Sequence, residues 1–205
     1  MNEVGVIRNQ LVLERTHARA VAHACASTMQ DDATAIASGR SLAQFRRACV
    51  DYLACVLAWF EERDQRLADL LQADLRSTDP ARRSLEEVLA RPGRSREVLA
   101  KLEAACNRAA ASGDTAGRQE WREFAEYFND VWSTRRDALD ALLSTDLRAT
   151  DWRSFGGIDA DSILEERRRY AQVCAQVPPG VALGTSPQGL RCAKAGPVPP
   201  TACTR

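Results

Sequence analysis

Apolar residues recur every three or four positions along most of this chain, with polar residues between them. Nowhere do they alternate in the two-residue rhythm of a strand. The pattern predicts helices. The first covers residues 4–28, where Ile7, Leu11, Ala18, Val21, Cys25 and Thr28 share one face. A polar stretch follows, with Gly39 as its turn. Ser41 then opens a second helix, with Gln44 three residues on as in a capping box. Its stripe is Leu42, Phe45, Cys49, Tyr52, Val56, Phe60, Leu67, Leu70 and Leu71, and it reaches Leu75, a length of roughly 50 Å at about 1.5 Å per residue.

Asp79-Pro80 stops that helix, since proline donates no backbone hydrogen bond. A short helix is expected at 84–90. Another, capped by Ser95 and running to 111, turns Val98, Leu99, Leu102, Ala105 and Cys106 inward. The helix expected at 116–144 carries Trp121, Phe124, Phe128, Val131, Leu139 and Leu142 on one side. The last opens near Asp159 or Asp161 and carries Ile163, Tyr170, Val173, Cys174 and Val177 inward, until Pro178-Pro179-Gly180 ends it. The fold class is all-α, an antiparallel helical bundle of four to six helices. The bundle domain is 1–177. In 178–205, ten of the 28 residues are Pro or Gly and none is acidic, so this stretch is expected to be a disordered tail.

Composition narrows the function. The 28 basic and 28 acidic side chains cancel, which disfavours nucleic acid as a partner. Only Lys101 and Lys194 are lysines among the basic residues, and alanine is abundant, a bias of GC-rich, here bacterial, coding. The longest apolar run, 52–60, is too short for a membrane span, and the opening residues show no secretory pattern, so a cytoplasmic protein is expected. Seven cysteines occur without a CxxC pair, and no cofactor is implied. Cys25, Cys49, Cys106 and Cys174 fall at apolar helical positions and are expected to be reduced core residues, whereas Cys192 and Cys203 are expected to be exposed and oxidisable.

Candidate chemistry is sparse. Glu14 and His17 have the ExxH spacing that puts two metal ligands on one helical face, which makes them weak metal candidates. The only other histidine, His23, lies about 240° further round the helix at about 100° per residue and cannot converge with His17. In its helix layout, its length and the acidic turn Phe60-Glu61-Glu62-Arg63, the chain resembles hemerythrin-type bundles in shape. That family's di-iron centre draws histidines from several helices, whereas both histidines here are on the first. A haem oxygenase-like bundle fits the length as well and would use His17 or His23 as its axial ligand, but its glycine-rich distal helix has no counterpart. No GxSxG, P-loop or GxGxxG motif is present, and no catalytic residue set emerges. The clusters holding Glu62–Arg66 and Glu165–Arg169 read as solvated faces with ion pairs at i,i+4, and Arg167 to Arg169 as a basic patch interrupted by acids.

One interhelical segment stands out. Trp152, Arg153 and Phe155, followed by Gly156-Gly157, are expected to form a loop that either makes a binding lip or plugs the end of the bundle. Together these features predict a non-catalytic helical bundle that binds a protein partner or forms a homo-oligomer. The alternative is a metal- or haem-linked bundle with most ligands missing.

Overall fold

The computed structural model describes residues 3–28, 39–72, 82, 86, 89–90, 92–112, 119–130, 148–156 and 160–184. Among them the fold is all-α. The helices are α1 (Glu3–Ser27), α2 (Gly39–Gln72), α3 (Pro92–Ser112), α4 (119–130), α5 (Ala149–Gly156) and α6 (Ala160–Gln176). Most of the short helix expected at 84–90, the rest of the one expected at 116–144, and 185–205 lie outside the described residues.

Cross-helix contacts fix the directions. Near the start of α2, Arg46 donates to the Thr28 carbonyl oxygen at 2.8 Å and to its hydroxyl at 3.2 Å, at the end of α1. Further along α2, Arg63 reaches back to Glu14. The two helices are therefore antiparallel, and Arg46 satisfies a carbonyl that α1 leaves unpaired at its C-terminus. Tyr52 meets Glu166, and the Asp51 carbonyl meets Arg169, so α6 also runs antiparallel to α2 and parallel to α1. Ser95 pairs with Tyr127 and Arg108 with Glu120, which sets α4 antiparallel to α3.

Helix α2 is the spine. It packs against α1, α3, α5 and α6, and its stripe of Phe45, Cys49, Tyr52, Leu53 and Val56 is fully buried. Around it lie Ala18, Val21 and Cys25 of α1, Leu102 of α3, Trp121, Phe124 and Phe128 of α4, and Val173 of α6. The inward stripes follow the helical period of the sequence because each helix has one wet side and one dry side.

Three helix starts differ from expectation. Helix α2 begins at Gly39, ahead of Ser41, so the glycine expected as a turn is its first residue. Pro92 begins α3, three residues ahead of Ser95, because its locked φ suits a first turn. Ser95 is consequently inside the helix, buried, and bonded to the Tyr127 hydroxyl instead of capping. The segment expected to be a loop near 151 is α5. The Asp151 carboxylate accepts the Arg148 backbone N–H at 2.9 Å, a side chain reaching back to the residue just ahead of the helix.

The packed chain also extends past Val177. Pro178-Pro179-Gly180-Val181 forms a tight turn, with the Val181 N–H donating to the Pro178 carbonyl at 3.2 Å and Gly180 at φ 86°. Proline second and a left-handed glycine third are what a type II turn requires. The turn folds Val181 and Leu183 onto the core, and Pro178 is buried. The bundle thus includes the first residues of the stretch read as a tail.

Candidate functional site

Three of the inward stripes contain a charged residue. On α1, Glu14 sits between Leu11 and Ala18. On α2, Arg63 sits between Phe60 and Leu67. On α6, Glu166 sits between Ile163 and Tyr170. All three are buried, Glu14 and Glu166 to 0% exposure. Burying a charge is costly unless it is paired and hydrogen-bonded, so Glu14 and Arg63 pair across the helices and Glu166 takes partners of its own on α1 and α2.

Glu14 is bound on two sides. The Arg63 guanidinium bridges both its oxygens, and Gln10 Nε2, one turn earlier on α1, donates to Oε1 at 3.0 Å. The fork of Arg63 matches the carboxylate, which is the strongest form of this pairing.

Glu166 is held differently. Its Oε1 accepts the Tyr52 hydroxyl at 2.8 Å and lies 2.8 Å from His17 Nδ1. Its Oε2 is buried and has no hydrogen-bond partner among the described residues. The His17 ring stacks on Tyr170, with centroids 3.8 Å apart and planes at 8°, and Tyr170 tilts against Tyr52. The His17 side chain retains 13% exposure. Its Nε2 takes no hydrogen bond from the described residues.

The buried hydroxyl of Tyr52 and the buried thiols of Cys25 and Cys106 resist ionisation. Burial pushes the Tyr52 hydroxyl well above its ordinary value, helped by the negative charge of Glu166 and by its hydrogen bond to that carboxylate. Burial also raises Cys106, to about 11. Cys25 is raised by burial and then by its hydrogen bond to Cys49. In the unfolded chain these protons leave near 9.0 for a thiol and 10.0 for a tyrosine. Above pH 9 the unfolded state therefore binds fewer protons than the folded state, and stability falls as pH rises. A series of melting temperatures from pH 8 to 11 should be level at first, decline above about 9, and decline more steeply above about 10. Tyr52→Phe should remove the second decline; an unchanged slope in that variant would contradict the assignment.

Glu14 and His17 share the face their spacing implied, but they do not converge. Glu14 turns to Arg63 and His17 to Glu166. A guanidinium stands where a cation on Glu14 would be, and no group of three or more metal-ligating side chains occurs among the described residues. His23 is exposed on the far side.

The Trp152 segment is not an open lip. Trp152 is buried, with the Arg8 guanidinium 4.5 Å above its ring. Arg153 is exposed and pairs with Glu3 at 2.9 Å. Phe155 lies within α5, and its side chain is outside the described residues. A Cβ on Gly156 would come within 2.3 Å of Ile7 Cγ2, so α5 sits against α1 at a distance only glycine allows. The expected pairs Arg66–Glu62 and Arg169–Glu165 both form. Arg169, however, is half-buried, because it also donates to the Asp51 carbonyl at 2.8 Å.

No protein-family model, no curated protein and no solved structure matches this chain.

Proposed function

We propose that this chain acts by binding a protein partner, with a second copy of itself as the first candidate. The supporting observation is on the outer surface. Helices α1 and α6 pack on one another and leave large apolar side chains uncovered, Val6 at 44% and Val12 at 60% exposure on α1 and Leu164 at 61% on α6. Most of the other apolar residues of these helices turn inward or are half-covered. No described helix is long and apolar enough to cross a membrane, so lipid is not the cover this reading draws on. The setting in this reading is a bacterial cytoplasm, supported by the free thiols of Cys25, Cys49, Cys55, Cys106 and Cys174.

Sedimentation over a concentration series tests it, with Val12→Asp and Leu164→Asp as the variants. The wild-type chain should self-associate. Each variant should weaken association by about tenfold or more, while changing stability by only about 0.5 kcal/mol. A chain that stays monomeric at high concentration would remove self-association from the reading. Metal analysis of the same samples addresses the alternative, a metal- or haem-linked bundle. A transition metal or haem near one per chain that survives dialysis and is lost in His17→Ala would promote that alternative.

A further inference from the structure

The binding reading makes no use of the polar centre, and one member of that centre is poised for chemistry. We propose that His17 is a nucleophile that takes an acyl group from an activated ester at Nε2, with Glu166 as its positioning residue. This inference goes beyond the binding reading and does not depend on it.

A carboxylate can only accept a hydrogen bond, so the contact of His17 Nδ1 with Glu166 Oε1 puts the ring proton on Nδ1. On the neutral ring that tautomer leaves the lone pair on Nε2, the edge turned away from Glu166, and the side chain keeps 13% exposure. The ring cannot swing freely, because it is stacked on Tyr170 at 3.8 Å and anchored at its other edge. The anchor is itself fixed: Tyr52 donates to the same oxygen of Glu166 from α2.

Charge supports the same assignment. Arg63 is committed to Glu14 and does not reach Glu166. Among the described residues no guanidinium pairs with Glu166, and its second oxygen is buried without a hydrogen-bond partner. When Nε2 forms a bond to a carbonyl carbon, positive charge grows on the ring. A buried carboxylate on Nδ1–H stabilises that charge, as it does in carboxylate–histidine pairs generally. His23 shares the helix but has none of this. It is exposed, and no carboxylate or stacked ring is recorded against it among the described residues.

The reaction balances without a further reagent. Nε2 of the neutral ring attacks the ester carbonyl, the N–C bond forms, and the ester C–O bond breaks to release the alkoxide or phenolate. The acyl-imidazolium keeps its Nδ1 proton toward Glu166. Water then attacks the acyl carbon and the N–C bond breaks. The N–C electron pair returns to Nε2, and one proton of the water passes to solvent or to the released alkoxide. The carboxylic acid leaves with the other and ionises in solvent, and His17 is restored as the neutral ring.

The test uses the full chain and p-nitrophenyl acetate, following nitrophenolate release and mapping the acetyl adduct by mass spectrometry. His17→Gln should lower the protein-dependent rate by about tenfold or more, and His23→Gln by less than about twofold, in line with the gain from a positioned imidazole. The adduct should map to His17. Glu166→Ala should slow the reaction to a similar extent, and added formate should restore part of the rate, which no merely structural role of Glu166 would produce. If Glu166→Ala does not fold, the two histidine variants decide the matter alone. Equal losses in the two histidine variants, an undiminished rate in His17→Gln, or an adduct on His23 would each overturn the proposal.

Discussion

Arg63→Met should destabilise the bundle by about 3–5 kcal/mol, because it leaves Glu14 buried without its cation. Arg63 is nearly as enclosed as its partner and donates to both oxygens of that carboxylate, so neither water nor a neighbour can replace it without opening the α1–α2 contact. Gln10 donates a single neutral hydrogen bond and cannot balance the charge. The double variant Glu14→Leu/Arg63→Met should be more stable than Arg63→Met by at least about 2 kcal/mol, since removing both members takes away the desolvation cost along with the attraction. Urea midpoints of the three proteins measure this directly. A double variant no better than the single one would mean that the pair contributes through packing rather than charge.

Phe128→Ala should cost a similar amount, about 3–5 kcal/mol, as is typical for a buried phenylalanine whose neighbours cannot collapse into the space. Phe128 is 4% exposed and lies 5.8 Å from the Phe124 ring, which in turn meets Trp121 edge-on at 6.2 Å. Helix α4 carries these three rings into the core, so losing one loosens the seat of the whole helix. Glu62→Ala provides the contrast. Its partner Arg66 is one turn away on an exposed face, and the loss should stay under about 1 kcal/mol. Equilibrium denaturation that ranked these two the other way would refute the inward face assigned to α4.

The helices were legible in the sequence because their apolar stripes are long and regular. The polar centre was not, although it left a mark. Each stripe that contributes to it skips a beat: Leu11 to Ala18, Phe60 to Leu67, Ile163 to Tyr170. The middle of each gap lies on the inward face, and each is occupied by a charge. One such gap reads as an irregular helix. Three of them, holding two acids and one arginine, mark a polar centre. What no pattern in the chain could supply was the pairing, since Glu14 might as well have faced His17, three residues along its own helix. That choice depends on α2 presenting Arg63 at the level of Glu14, and on α6 presenting Glu166 at the level of His17. The Trp152 segment misled for a local reason. Its aromatic and glycine residues suggested a loop, whereas the Asp151 cap makes it a helix, and Gly156 serves close packing rather than flexibility.

The levels at which these partners meet also restrict how the bundle can go wrong. Apolar stripes are forgiving: one leucine replaces another, and a helix displaced along its axis by a turn, about 5.4 Å, still finds grease to lie against. Here such a slip would carry Glu14 past Arg63 and Glu166 past Tyr52, leaving two acids in a dry seam facing hydrocarbon. The penalty falls on misaligned assemblies and spares the correct one. The charges therefore act as a key cut into three otherwise smooth rods, and a variant that replaced all of them with leucine would risk losing its single alignment before it lost its stability.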